Sequence, residues 1–215
     1  MYLPKYFEQS RIEVLHAFIK ANPLGALVGL TSGGLVANHI PFELDAAPAP
    51  FGSLQGHIAR ANPFWQESLP RTDALVIFQG PSAYVSPAWY PSKKQTGKVV
   101  PTWNYAMVHA RGPARFIQDP SWLRAFVDKL TNRYEAGRAR PWKITDAPAD
   151  YLDKQLGAII GIEIPITSLL GKWKLSQNRP ADDREGMVEG WLKEGTPSAL
   201  AMADFARQTN HSRSS

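Results

Sequence analysis

At least six short strand-like segments, several of them separated by tight turns, restrict this chain to folds built on antiparallel β-structure. Residues 24–31 and 35–44 flank the turn Ser32-Gly33-Gly34, whose glycines supply the positive φ angles that tight turns need. Further strands are predicted from apolar runs at residues 53–59, 72–80, 99–110 and 158–167, with 112–118 as the hairpin partner of 99–110. The pattern predicts a small antiparallel barrel.

Helical segments interrupt these strands, so the predicted fold class is α+β. Ser10 and Glu13 form a capping box at the start of the first helix. Asp119-Pro120 supplies the cap and the first residue of a second, longer helix. We interpret the chain as one domain over residues 1–180, a helical extension of that domain over 181–208, and a frayed tail over 209–215.

The composition is that of an ordinary globular protein, with 44% hydrophobic and 20% charged residues among 215. The absence of cysteine excludes disulfides, thiol catalysis and cysteine-based zinc sites. The formal net charge of +5 fits an anionic partner such as DNA or a nucleotide, but many basic proteins have no such partner. Because the sequence shows neither a secretory signal nor an apolar run of ~18 residues, we expect a cytoplasmic protein with no membrane contact.

Familiar cofactor motifs are absent from the sequence. It contains no glycine-rich dinucleotide fingerprint, no P-loop and no HExxH zinc motif. Three histidines on predicted strands, His39, His57 and His109, could converge on a metal ion, but their spacing matches no known ligand pattern. We interpret them as polar residues at a sheet edge or pocket wall, and no metal is predicted.

Three segments are candidates for ligand binding, and the first is GHIARANPFW, residues 56–65. It carries His57, Arg60 and Asn62 from the end of a strand into a turn. An arginine at a strand end, beside free backbone amides, can clamp a phosphate. The alternative is a surface turn that is capped by its asparagine.

The second segment, residues 80–105, is unusually rich in rings and prolines. Its rings and small polar side chains are Tyr84, Trp89, Tyr90, Trp103 and Tyr105 with Ser86, Thr102 and Asn104. A flat conjugated ligand needs this combination of apolar walls and a few placed hydrogen-bonding groups. Lys93, Lys94 and Lys98 lie between the rings and could close over an anionic end of the ligand. The alternative is an aromatic mini-core beneath a loop.

The third segment is GKWKLSQNR, residues 171–179, which combines three cations with three neutral polar side chains and contains no acid. Its polar members are Lys172, Lys174, Ser176, Gln177, Asn178 and Arg179. This set can bind an anion and hydrogen-bond the amide-like edge of a ligand. The alternative is a solvated run of charges, although such runs usually include acids.

These three segments, together with MYLPKYF at the start, FQGPSAYVSPAWYPSK and KVVPTWNY, resemble the PaiB-like family. That family is described as FMN-binding negative transcriptional regulators with a fold similar to the flavin split barrels. The strings occur in the same order, and the resemblance covers most of the chain from Met1 to about Gly190.

The resemblance implies a mainly antiparallel, six-stranded split barrel with peripheral helices that binds FMN at a homodimer interface. It also implies repression of genes, and therefore DNA as a partner. The flavin phosphate would meet Arg60 and one or more of Lys93, Lys172 and Lys174, and the ring would lie near residues 84–86 and 102–105. The full predicted cofactor site is His57, Arg60, Asn62, Tyr84, Val85, Ser86, Lys93, Thr102, Trp103, Asn104, Tyr105, Lys172, Lys174, Ser176, Gln177 and Asn178.

Two other classes of function stay open from the sequence. Many barrel relatives of this kind are flavin-dependent oxidoreductases that act on small molecules. A binding module that has exchanged the flavin for another ligand is the second alternative. Since no general acid or nucleophile stands out, we name no catalytic residue.

Overall fold

The structure, a computed structural model, describes residues 1–47 and 50–211 and has an α+β fold. The strands over these residues are β1 Glu8–Gln9, β2 Leu24–Thr31, β3 Gly34–Pro41, β4 Glu43–Asp45, β5 Ser53–Ala59, β6 Asp73–Val85, β7 Thr102–Pro113, β8 Arg115–Ile117, β9 Ile159–Pro165 and β10 Ser168–Lys174. The helices are α1 Ile12–Ala21, α2 Phe64–Glu67, α3 Ser92–Thr96, α4 Pro120–Glu135, α5 Ala149–Gly157, α6 Ala181–Glu194 and α7 Pro197–His211. Short 3₁₀ turns lie at Lys5–Phe7, Pro87–Trp89 and Ile144–Asp146.

The strands form two sheets. Six strands are ordered β1-β10-β7-β6-β2-β3, and four are ordered β4-β5-β9-β8. The pairs β1–β10, β2–β3, β2–β6, β4–β5, β5–β9 and β8–β9 are all antiparallel. The predicted α+β class, the first helix and the β2–β3 hairpin are confirmed.

By its internal contacts the chain divides into two compact units. Unit 1 consists of Met1–Leu15, Gln79–Val108 and Leu170–Ser215, and unit 2 consists of His16–Phe78 and His109–Leu169. Strands β6, β7 and β10 each contribute residues to both units. The predicted division at residues 180 and 208 stays a prediction.

The core of unit 1 forms where helices α6 and α7 cover strands. Trp191 of α6 is fully buried, and its indole nitrogen donates a hydrogen bond to Tyr84 O at 2.8 Å. The helix accepts the Trp89 ring at Gly190, where a Cβ atom would lie 2.2 Å from the ring. Acidic residues in its first turn and the left-handed Gly195 after its end explain why the sequence begins and ends this helix where it does.

The core of unit 2 is built on β5 and β9, which pair along their whole length. Three isoleucines of β9, Ile160, Ile162 and Ile164, are fully buried. Helix α4 packs at Gly161 because a Cβ atom there would lie 2.4 Å from the Trp122 ring. Asp119 caps this helix by accepting a hydrogen bond from Ser121 N, as predicted.

The strand predicted over residues 72–80 is wrong at its end, because β6 continues through Gly80 and Pro81 to Val85. Proline cannot donate to a sheet ladder, so a strand tolerates it where no acceptor faces its nitrogen. The pairing between β2 and β6 ends at Phe78, before the proline is reached. The strand therefore loses no β2 hydrogen bond at Pro81.

The hairpin predicted between residues 99–110 and 112–118 is also wrong. Strand β7 runs on through Gly112 to Pro113, and β8 pairs with β9, where Phe116 faces Ile162. Gly112 serves a close backbone approach instead of a turn, since a Cβ atom there would lie 1.9 Å from Pro165 O.

The strand β10 was missed by the sequence pattern, which treated residues 171–179 as a polar run after a strand. Its first residue follows the end of β9 by only three positions, and Gly171 pairs with Gln9 of β1. Two lysines at alternate positions hide the apolar half of the strand from a pattern search. This places Lys172 and Lys174 on a rigid element.

Helix α7 extends to His211, so part of the predicted tail 209–215 is helical and its last four residues lie outside the described residues. Residues 48 and 49 lie outside the described residues as well. None of the helices within residues 1–47 and 50–211 combines the length and apolar character needed to cross a bilayer.

Candidate functional site

Two lysines of β10 form the most unusual charge arrangement in unit 1. Lys172 and Lys174 lie two residues apart on one strand, so their side chains leave the same face of the sheet. Lys172 is only 7% exposed, and its Nζ donates a hydrogen bond to Tyr2 O at 3.0 Å. The same nitrogen lies 5.4 Å from the centroid of the Tyr105 ring, within the range of a cation–π contact.

Lys174 is held by neutral acceptors too. Its Nζ donates to Trp103 O at 2.7 Å and to Thr102 Oγ1, and it lies 5.9 Å from the Tyr105 ring centroid. Burial, and then the neighbouring charge of Lys172, lower the pKa of Lys174. Among residues 1–47 and 50–211, neither ammonium group forms a salt bridge with a carboxylate. The pair is therefore a cluster of two positive charges without an acidic partner among the described residues.

Exposed aromatic rings stand beside the two lysines. Trp103 and Tyr84 are 57% and 42% exposed, and their rings meet edge to face with centroids 6.2 Å apart. Trp103 and Tyr105 share one face of β7 because side chains alternate along a strand, and Asn104 between them points inward. Unit 1 thus offers flat apolar surface next to cationic donors.

The polar residues Asn104 and Ser176, predicted to face the ligand, hydrogen-bond to each other. Asn104 is fully buried, and its Nδ2 donates to Ser176 Oγ at 3.0 Å and to Met187 Sδ at 3.1 Å. Ser176 has a positive φ of 60°, a conformation that costs energy in a residue with a side chain. This buried pair holds the turn after β10 in place.

Three further residues of the predicted site differ from the two lysines in burial and hydrogen bonding. They are Gln177, Asn178 and Val85. Gln177 folds back on its own turn, accepting from Leu175 N at 2.8 Å and donating to Trp173 O. Asn178 is exposed, and the Val85 side chain is fully buried. Of these three residues, only Asn178 presents a free side chain at the surface, and all three assignments stay predictions.

The lysine-bearing loop is anchored by α6. Asp183, 1% exposed, accepts hydrogen bonds from Ser92 N at 3.0 Å and Ser92 Oγ at 2.7 Å, at the start of α3. The Arg179 guanidinium lies 4.7 Å from the centroid of the Tyr90 ring, which is buried. Ser86 caps the turn before the loop by accepting from Ala88 N. Lys93 itself is exposed on α3.

The aromatic segment therefore divides into two parts. Trp89 and Tyr90 pack toward α6 and Arg179, as the mini-core interpretation predicts. Tyr84 and Trp103 are exposed and Tyr105 is half-buried, and their assignment to a ligand site stays a prediction.

The remaining predicted residues, His57, Arg60 and Asn62, belong to unit 2. The Arg60 guanidinium donates to Gly157 O at 2.7 Å, Gln118 Oε1 at 2.9 Å and Ile159 O at 3.4 Å. The Asn62 side chain accepts a hydrogen bond from Phe64 N at 3.0 Å. This is the asparagine-capped turn that we gave as the alternative to a phosphate site. Arg60 and Asn62 therefore make structural contacts within unit 2, and the cofactor assignments of all three residues stay predictions.

His57 is enclosed beneath α4. Its ring meets the Phe126 ring edge to face with centroids 5.8 Å apart, and burial lowers its pKa. Within the described residues its Nδ1 has no hydrogen-bond partner. No three potential metal ligands gather in the part of the chain that the structure describes.

The buried state of His57 predicts a pH dependence of stability. The folded-state pKa lies below the unfolded value of about 6.5, so the unfolded chain binds more protons as the pH falls through that value. The melting temperature should therefore drop between pH 7.5 and pH 5, and His57→Phe should reduce that drop. Equal drops in wild type and His57→Phe would contradict this assignment.

The sequence interpretation missed two residues of the lysine site. Tyr2 supplies the carbonyl that accepts a hydrogen bond from Lys172. Asp183 holds Ser92, at the start of the separate loop that carries Lys93, Lys94 and Lys98. Tyr2 lies in MYLPKYF, one of the strings that carried the resemblance, so that string was the available signal. Nothing in the local pattern around Asp183 distinguishes it from an ordinary helix N-terminal acid.

Comparison with known proteins decides the family. A model of the family described as "Putative FMN-binding domain" matches residues 1–168, well over half of the chain. The chain belongs to this family. FMN is accordingly its cofactor, in agreement with what the sequence motifs imply.

Relatives extend over nearly the whole FMN-binding chain. The Bacillus subtilis protein named "Protease synthase and sporulation protein PAI 2" is 32% identical over 205 residues, covering 95% of this chain and 96% of that protein. An uncharacterised protein of Emericella nidulans, AN0679, is 36% identical over 243 residues and covers 97% of each chain. The resemblance to the PaiB-like family is confirmed.

A solved structure supports the predicted fold. The FAD and heme binding protein from Mycobacterium smegmatis matches with a TM-score of 0.56 and 18% identity, covering 83% of this chain and 78% of that one. At this identity the similarity concerns the fold alone. The chain has the predicted split-barrel fold of α+β class, with a six-stranded antiparallel sheet and a helical C-terminus.

Proposed function

We propose that this chain is a cytoplasmic, homodimeric FMN-binding protein that acts as a negative regulator of transcription. The observation that carries the cofactor site is the pair Lys172 and Lys174, two partly or fully buried cations with only neutral partners among the described residues. We place the FMN phosphate at this pair and the ring system beside Trp103 and Tyr84.

The donors of this pair fit a phosphate group. Of three N–H donors each, Lys172 uses one and Lys174 two in the hydrogen bonds within residues 1–47 and 50–211. Three donors and two positive charges are then left for an anion. A phosphate monoester carries close to two negative charges at neutral pH, so the charges match.

The neighbouring rings fit the flat part of a flavin. Trp103 and Tyr84 are exposed although both are large and apolar, and the edge-to-face contact between them holds the two rings at a fixed angle. Tyr105, close to both ammonium groups, joins the phosphate side to the ring side. When bound, FMN supplies a ring system that accepts and returns electrons.

The proposed dimer is supported by an apolar sheet face in unit 2. Cross-strand neighbours on this face are Leu30 with Leu35, Val28 with Ala37, and Ala26 with His39 on one side and Ile77 on the other. Leu35 is 77% exposed and Leu24, on the same face, is 62% exposed. An apolar face of this kind is typical of an interface, and a second copy presents an identical face that can pack against it about a two-fold axis.

A charge placed on this face should separate the dimer. Leu35→Lys is expected to raise the dimer dissociation constant at least ~10-fold, because each of the two copies would bury an unpaired ammonium group. The folded monomer should tolerate the change, since the side chain is exposed. Sedimentation velocity over a range of concentrations measures it. Val100→Lys, at another exposed apolar residue, should leave the dimer intact.

The regulatory part of the proposal is supported by the relative named for protease synthesis and sporulation, which matches along 95% of the chain. Lys93, Lys94 and Lys98 form an exposed basic cluster in unit 1, and the whole chain has a net charge of +5. Exposed lysines of this kind can contact the phosphate backbone of DNA.

One set of measurements tests the proposal. Purified protein should quench FMN fluorescence on titration and should bind DNA upstream of its own gene more tightly than a scrambled fragment, with an affinity that falls as salt rises. Failure to quench would contradict the cofactor site. Steady NAD(P)H oxidation with FMN, combined with equal binding to both DNA fragments, would favour the oxidoreductase alternative.

A further inference from the structure

Unit 2 contains a cavity whose lining includes none of the residues at which we place the flavin, Lys172, Lys174, Trp103 and Tyr84. It does include Arg60, for which the sequence resemblance implied a contact to the flavin phosphate. Its volume is about 370 Å³, and it is lined by the turn after β5, the start of α4 and the end of α5. Leu123 and Leu156 line it and are 1% and 6% exposed. Both belong to a small apolar cluster between α4 and α5. The lining therefore combines an apolar floor with the polar side chains of Arg60, Gln118, Arg124 and Asp153.

Two arginines stand at the edge of this cavity. Arg60 donates only to neutral oxygens, those of Gly157, Gln118 and Ile159, so its positive charge has no carboxylate partner among these contacts. These bonds use three of its five N–H donors and hold the guanidinium in one orientation. A fixed guanidinium with spare donors loses little freedom when it binds an anion.

The second arginine is paired, but weakly. Arg124 Nη2 donates to Asp153 Oδ1 at 2.7 Å, and the two side chains are 45% and 68% exposed. Exposed ion pairs of this kind contribute little stability. A carboxylate from a ligand could therefore replace Asp153 as the partner of Arg124. The three charged groups at the rim sum to one positive charge, which matches a monoanion better than a dianion.

We propose that this cavity binds a small carboxylic acid with an apolar body, its carboxylate between Arg60 and Arg124 and its body against Leu123 and Leu156. Volume and lining are those of a small-molecule site, in which apolar walls supply most of the contact and a few polar groups orient the ligand. A planar carboxylate also matches the fork of a guanidinium, which binds it through two parallel hydrogen bonds.

Fluorine NMR with 4-fluorophenylacetate as the probe tests this proposal. The signal should broaden or shift on addition of the full chain at about 1 mM acid, a concentration at which weak specific binding is measurable. The neutral amide 4-fluorophenylacetamide should bind at least ~10-fold more weakly, since a hydrogen bond between charged groups is lost. Absence of binding, or equal binding of acid and amide, would overturn the proposal.

Two substitutions of exposed residues at the rim should change the affinity for the acid in opposite directions. Comparing them with an arginine outside the lining distinguishes a specific site from a general effect of net charge. Arg124→Gln should weaken binding of the acid ~10-fold, whereas Asp153→Asn should strengthen it by removing the competing carboxylate. Arg115→Gln, an exposed arginine that lies outside the cavity lining, should change nothing. Equal effects of Arg124→Gln and Arg115→Gln would overturn the assignment.

A last comparison distinguishes this cavity from the flavin site. Leu156→Phe narrows the cavity and should weaken binding of the acid without changing the affinity for FMN. An unchanged circular dichroism spectrum verifies that the variant is folded. Saturation with FMN should leave the affinity for 4-fluorophenylacetate unchanged. If FMN displaces the acid, the two ligands share one site and the proposal of a second site fails.

Discussion

Replacing both Lys172 and Lys174 by methionine is expected to lower the affinity for FMN about 100-fold, or ~3 kcal/mol, because two charge-assisted contacts to the phosphate are lost. Methionine keeps most of the apolar stem, so packing around β10 should persist. Fluorescence quenching of FMN by the purified variant measures the affinity. The single variants should each account for roughly half of the loss in free energy.

The control for this double variant must change net charge equally. Lys154→Met with Lys193→Met removes two exposed lysines and should leave FMN affinity within about twofold of wild type. If both double variants weaken FMN alike, the effect is one of net charge and the phosphate does not lie at Lys172 and Lys174. The thermal stability of the site variant should not fall much, since removing a buried ammonium group from neutral surroundings relieves a desolvation cost.

The sequence predicted local elements well where a short pattern decides them. The first helix, the glycine turn between β2 and β3, and the Asp119 cap are each specified by residues within or next to the element itself. The errors involve residues far apart in sequence. Gly112 and Pro165 meet across more than fifty residues, so nothing near Gly112 shows that it serves a close approach and not a turn.

The candidate site shows the same limit. Composition identified the lysine run and the aromatic segment, and the structure brings Lys174 against Thr102 and Trp103. Composition could not distinguish Lys174 from Ser176. The ammonium group of Lys174 has no acidic partner among the described residues, whereas the Ser176 hydroxyl is hydrogen-bonded to the buried side chain of Asn104. Which side chain faces outward depends on strand alternation in β7 and β10, and β10 itself was not recognised. The direction of each side chain follows from the sheet, and the residue types alone do not reveal it.

Trp191→Ala should destabilise the folded protein strongly. The side chain is fully buried, so its removal leaves a cavity beneath α6. The Tyr84 carbonyl also loses the indole N–H that donates to it. We expect a loss of ~3–5 kcal/mol in the free energy of unfolding and a fall in melting temperature of about 10 °C. Differential scanning calorimetry and urea unfolding measure both quantities.

Trp142→Ala is the matched control, because that tryptophan is 44% exposed and should shift stability by no more than ~0.5 kcal/mol. Trp191→Phe separates the two causes, since it keeps most of the ring volume but removes the donor to Tyr84 O, and should cost an intermediate ~1–3 kcal/mol. Because Tyr84 also flanks the proposed flavin ring, Trp191→Phe should weaken FMN binding even at temperatures at which the variant is fully folded. A variant with wild-type stability would show that α6 is not anchored through Trp191, and the rigid placement of Tyr84 would then need another explanation.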